Sequence, residues 1–179
     1  AKRVEFLTAY QNAAYAAEYK AVVDKVRAAE EKLGAGKALS EAVTKYLFKL
    51  MAYKDEYEVA RLHTDPSFAT KIATQFEGDY KLVHHLAPPL FAKKNDKGEL
   101  VKQPFGAWVR PAFGLLAKLK GLRGSAFDVF GHTEERRQER ELIQRYRKTV
   151  DELLAKLKLE RLEQAVEIAR LPEDIRGYG

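Results

Sequence analysis

Cysteine is missing from all 179 residues, Met and Trp occur once each, and Pro only six times. Without a thiol there is no disulfide framework, no thiolate zinc site, no Cys-ligated iron–sulfur cluster and no cysteine nucleophile. The same lack fits a reducing compartment, and a cytoplasmic location is the expectation. Long hydrophobic runs are missing too: no window approaches the roughly 18 apolar residues of a spanning helix, and no apolar h-region opens the chain. No membrane partner is therefore expected. The chain begins Ala1-Lys2-Arg3 without an initiator Met and closes on Arg176-Gly177-Tyr178-Gly179. Both ends read as cut, so a fragment of a longer polypeptide is expected.

What is present suits a globular domain, with 46% apolar and 32% charged residues. A chain of this length can bury roughly 70% of its unfolded surface. Its charges are of both signs and interspersed, which marks a solvated surface rather than disorder. The net charge of +6 is uneven: residues 81–123 hold nine basic side chains against Asp96 and Glu99, a net +7. Such a field favours an acidic partner, a phosphate-bearing ligand or nucleic acid; a plain solvated face is the competing reading. A partner- or anion-binding surface would fall on Lys93, Lys94, Lys97, Lys102, Arg110 and Arg123.

Periodicity predicts a mainly α fold. Residues 4–33 lack Gly and Pro, and Leu7, Tyr10, Ala14, Ala17 and Ala21 form one helical stripe beside a second of Phe6, Ala9, Ala13 and Ala16. Apolar positions on two sides imply that this helix is covered twice, until Gly34 and Gly36 stop it. Ser40 is the expected N-cap of the next helix, whose buried face is Val43, Tyr46, Leu47, Leu50, Tyr53, Tyr57 and Ala60. The two helices read as an antiparallel pair. Asp65-Pro66 starts a short helix to about Phe76. Residues 80–86 are strand-like, and the turn signal at 95–98 between Leu90-Phe91 and Leu100-Val101 predicts a hairpin. Trp108, Ala112, Leu115 and Leu119 then mark a helix, and Thr133 precedes a long charged one with Leu142, Tyr146, Val150, Leu153 and Leu157 inside. A last helix covers residues 162–169. The expected architecture is one antiparallel helical bundle over residues 1–179 with a small β-hairpin insertion at about 80–104.

No motif in this frame carries recognisable chemistry, and neither catalytic, cofactor-binding nor metal residues are assigned. His84 and His85 are neighbours on a strand and point to opposite faces, so they cannot readily share an ion, and His63 and His132 fall in other elements. Gly121-Leu122-Arg123-Gly124-Ser125 is a glycine-flanked basic turn that reads either as an inter-helix loop or as a phosphate cradle built from backbone amides. The tyrosines at 10, 15, 19, 46, 53 and 57 lie on helical stripes, as core and inter-helix hydrogen-bond donors rather than base-stacking platforms.

Several strings together resemble the C-terminal region of the fused indolepyruvate ferredoxin oxidoreductases: VEFLTAYQNAAYAA at residues 4–17, YLFKLMAYKDEYEVARL at 46–62, FEGDY at 76–80, HLAPP at 85–89, FGAW at 105–108, LKGLRG at 119–124 and ARLPEDIRGYG at 169–179. The resemblance runs from end to end. It implies an accessory domain of an enzyme that oxidatively decarboxylates an aryl pyruvate to an acyl-CoA and reduces ferredoxin. Thiamine diphosphate, magnesium and iron–sulfur clusters would belong to the parent and not to this segment. The implied partners are the catalytic domains of the same polypeptide or its dimer mate, with ferredoxin or CoA meeting the basic stretch. The alternative is a basic helical nucleic-acid-binding module, motivated by a pI near 9.3. Against it, the long helix is balanced in charge and no recognition helix stands out.

Overall fold

The computed structural model describes residues 1–79, 81–86, 95, 101–106 and 108–175. It is mainly α, with eight α-helices and one two-stranded antiparallel sheet among those residues. They form two compact units, residues 1–53 with 132–179 and residues 54–131.

The first unit holds α1 (Lys2–Tyr10), α2 (Ala13–Leu33), α3 (Ala38–Met51), α7 (Glu134–Ala155) and α8 (Leu162–Arg170). The single helix expected over residues 4–33 is two. Asn12 leaves the helical region at φ −165°, ψ 176°, and its side chain accepts from the Tyr15 amide, so it ends one helix and caps the next. The break resets the helical phase. Leu7 and Tyr10 are buried as expected, but Ala14, Ala17 and Ala21 are exposed; α2 buries Ala16, Tyr19, Val23, Val26 and Glu30 instead.

Ser40 is not the N-cap of α3. It lies in the first turn, where the buried Glu30 carboxylate accepts from the Leu39 amide at 2.7 Å and the Ser40 amide at 2.8 Å. A side chain from the preceding helix thus satisfies two orphan donors and places a negative charge where the helix dipole favours it. The pairing of α2 and α3 is antiparallel: Tyr15 Oη donates to the Met51 carbonyl and Tyr19 Oη to the Thr44 carbonyl, each at 2.9 Å. Tyr10 Oη reaches the Tyr53 carbonyl at 2.8 Å and Tyr146 Oη the Ala169 carbonyl at 2.8 Å. These phenols fill the core with their rings and satisfy buried carbonyls with their tips.

Thr133 caps α7, which buries Ile143, Tyr146 and Val150. Lys49 Nζ donates to the carbonyls of Pro172, Glu173 and Ile175, binding α3 to the 3₁₀ turn after α8.

The second unit holds α4 (Glu56–Thr64), α5 (Pro66–Gln75), β1 (His84–Leu86), β2 (Gln103–Phe105) and α6 (Val109–Lys118). Tyr57 and Ala60, expected on the helix that is now α3, are buried here: Asp55 starts a separate helix by accepting from the Glu58 amide. Asp65 and Pro66 open α5 as expected. The hairpin strands pair His84 with Phe105 and Leu86 with Gln103. The arms expected at Leu90-Phe91 and Leu100 lie outside the described residues. Two strands alone are marginal, and Leu86 and Phe105 pack on the small cluster of Ala60, Val109 and Phe113.

Candidate functional site

Two buried carboxylates organise the second unit. Asp55 accepts from Arg123 through both oxygens, Nε to Oδ2 at 2.5 Å and Nη2 to Oδ1 at 2.8 Å. Both residues are at most 5% exposed, and this bidentate geometry is what makes a desolvated ion pair tolerable. The Arg123 guanidinium also lies 5.5 Å from the Tyr57 ring centroid. Tyr57 Oη donates to Asp128 Oδ1 at 3.1 Å. Burial, and then the Asp128 carboxylate, push that phenol well above its ordinary pKa, so it stays a donor.

Asp128 gathers three backbone amides as well. Gly124 N donates to Oδ2 at 2.7 Å, and Phe130 N and Gly131 N donate to Oδ1 at 3.2 and 3.0 Å. Of the glycine-flanked turn at residues 121–125, the Gly124 amide meets the chain's own Asp128 carboxylate, while the other two amides come from Phe130 and Gly131, beyond that turn. Gly124 takes φ +75°, and a Cβ on Gly131 would strike the Asp128 carboxylate. With Asp128 held inward, its neighbours point out: Phe127 is 78% and Val129 65% exposed.

Helix α6 presents a second apolar set. Val109 and Phe113 are its buried side, whereas Trp108 is 69%, Leu115 63% and Leu119 40% exposed, with Ala112 exposed between them. The stripe read from the sequence as this helix's signature is thus its outer face. Single exposed apolar residues are ordinary; here three large ones share one side of a short helix, and Phe127 and Val129 are exposed in the turn that follows.

Of the basic residues expected on an anion-binding surface, Lys102 and Arg110 are exposed. Arg123 is not on a surface at all: its charge faces Asp55. Lys93, Lys94 and Lys97 lie outside the described residues. His85 is exposed and His84 buried, as their alternation requires. His63, although in another element, comes to 4.9 Å from His84 between ring centroids, with Phe113 and Phe68 against it. No group of three or more metal-ligating side chains occurs among the described residues. Asp55 and Asp128 escaped the sequence reading; the signal for Asp55 was a capping box, Asp55-Glu56-Tyr57-Glu58.

The fold and this surface define a mainly helical module that holds an apolar face outward on a buried polar frame. It belongs to the DUF6537 family, described as a family of unknown function, which matches over residues 1–179. No curated protein and no solved structure matches the chain. No helix among the described residues is long and apolar enough to cross a membrane.

Proposed function

We propose that this chain is the C-terminal accessory domain of an indolepyruvate-type 2-oxoacid:ferredoxin oxidoreductase, and that its work is to dock against the enzyme's catalytic domains. The observation that carries the docking role is the exposed apolar set of Trp108, Leu115, Leu119, Phe127 and Val129. The choice of enzyme rests on the end-to-end resemblance of the strings from residue 4 to residue 179.

Iron–sulfur clusters need thiolates, and the chain has none, so no cluster is assigned to it and no electron-transfer step runs through it. Thiamine diphosphate and magnesium are likewise assigned to the other domains. Docking removes apolar area from water at about 25 cal/mol per Å² and restricts domain motion, so the accessory unit supports the parent's stability and the alignment of its catalytic parts. An acidic ferredoxin or the phosphates of CoA would meet the exposed cations Lys102 and Arg110.

The test is the polypeptide in which these residues occur. We expect thiamine-site and cysteine-cluster motifs outside residues 1–179, and CoA-dependent ferredoxin reduction with indolepyruvate. Removing residues 1–179 should lower both activity and melting temperature. A polypeptide that holds neither motif, or that reduces no ferredoxin with any aryl pyruvate, overturns the reading.

A further inference from the structure

We infer that a cleft in the first unit, walled by α1, α2 and α3, binds a small phosphate monoester, with the phosphate on Arg3 and Arg27 and the hydroxyls on Glu31 and Glu41. The site is separate from the docking role: all its residues lie within residues 1–53, and it does not depend on which enzyme carries the chain. The cleft has a volume of about 730 Å³, the size of an ordinary small-molecule site. Its walls are charged side chains, hydroxyls and glycine, with no apolar residue among them. An aromatic or acyl ligand would gain nothing from desolvation there, so the occupant is hydrophilic.

Several polar groups of the cleft are already engaged. Glu30 is held by the Leu39 and Ser40 amides, so the chain itself fills the N-terminal end of α3. Lys45 Nζ reaches Tyr46 Oη at 3.1 Å and the Glu173 carboxylate at 3.5 Å. Arg3 and Arg27 differ. Among the described residues neither has a carboxylate partner, although Glu31 and Glu41 line the same cleft. The Tyr19 phenol, bonded to the Thr44 carbonyl, feels both guanidinium charges: burial raises its pKa, and Arg3 and Arg27 oppose that rise. In the same wall the Thr44 hydroxyl oxygen is buried without a hydrogen-bond partner. Lys37, exposed just before α3, adds a third cation. Two guanidinium forks suit the three terminal oxygens of a phosphate, whereas a carboxylate fills only one fork. Glu31 and Glu41 accept hydroxyls and repel a second anion, which selects a single phosphate on a polyol. The same two carboxylates disfavour a nucleic-acid strand, whose phosphates repeat along its length.

The experiment is isothermal titration calorimetry of the full chain with glycerol 3-phosphate, inorganic phosphate and glycerol, each at about 0.15 M ionic strength. The ester is expected to bind with a Kd of about 1 mM or tighter, and glycerol not at all. Inorganic phosphate should bind about threefold weaker than the ester, for want of the hydroxyl contacts. Arg3→Gln and Arg27→Gln should each weaken the ester about tenfold or more, as loss of a charge-assisted hydrogen bond does. Lys148→Gln removes one exposed charge from α7, outside the cleft, and should change the affinity by less than about twofold. Glu31→Gln should weaken the ester and leave inorganic phosphate as tight or tighter. Arg3 and Arg27 are both exposed, so the melting temperature without ligand should not move in either variant. No heat from the ester at about 10 mM, full binding by either arginine variant, or an equal loss in Lys148→Gln would each overturn the inference. Inorganic phosphate bound as tightly as the ester would overturn the part given to the hydroxyls.

Discussion

In the first unit nineteen buried apolar residues from α1, α2, α3, α7 and α8, with Tyr53, form one cluster. In the second, the described residues bury three in theirs, and five buried polar or charged side chains stand beside them: Asp55, Glu58, His84, Arg123 and Asp128. Among the described residues, the exposed large apolar side chains divide the other way, nine in residues 54–131 against three in the first unit. The first unit spends its hydrophobic residues on itself. The second holds together through paired charges and a bound carboxylate, and leaves its apolar side chains facing out. A domain that must fold and also offer an apolar surface needs some other source of order, and the Asp55–Arg123 pair with the four donors on Asp128 is one.

The sharpest way to break this comparison is to remove one charge from the second unit. Asp55→Ala leaves Arg123 buried without its counter-ion and uncaps α4, and should cost about 3–5 kcal/mol. Hydrogen exchange should speed across residues 54–131 and leave residues 13–51 unchanged. Equal acceleration in both units would show that they are not separately stabilised. Leu47→Ala is the mirror experiment. Leu47 is fully buried, so the loss should be about 2–5 kcal/mol, confined to the first unit. A smaller effect is expected of Gly131→Ala, whose methyl forces the Asp128 carboxylate away from its amides; about 1–3 kcal/mol is the usual penalty for such overpacking. Its readout is the denaturation midpoint of the second unit.

Acid should separate the units without any substitution. Burial, then the His84 ring and Lys54, lower the His63 pKa below its ordinary 6.5. A base whose folded pKa is depressed contributes stability above its unfolded pKa and loses it as pH falls through the folded value, so the second unit weakens below pH 6.5. In the first unit, hydrogen bonds from Tyr46 and Arg170 bring Glu173 from 4.5 to about 2, so its contribution is present above pH 4.5 and is lost between 4.5 and 2. A pH titration followed by hydrogen exchange should show residues 54–131 loosening first. His63→Phe should remove that early phase.

Much of the helical content was legible because period and caps agree. Asp65-Pro66, Thr133 and Leu171-Pro172 mark real boundaries. Asn12 was equally available as a cap, but the Ala-rich residues around it read as helix either way, and the phase reset was lost. Periodicity cannot say which of two apolar stripes on one helix turns inward. On α6 the stripe of Trp108, Leu115 and Leu119 competes with Val109 and Phe113, and only the packing on Ala60 decides for the second. The polar frame was hidden for another reason. Asp55 and Arg123 are 68 positions apart, and nothing in the +7 count distinguishes a cation facing solvent from one facing a buried carboxylate.

The most direct measurement of the central claim is hydrogen exchange on residues 108–130, compared between the chain alone and the full polypeptide that carries it. Helix α6 and the turn around Asp128 should gain protection in the full polypeptide, while α2 and α3, already closed on their own core, should exchange at the same rate in both. Equal exchange of residues 108–130 in the two settings would contradict it, because the apolar face would then meet no partner.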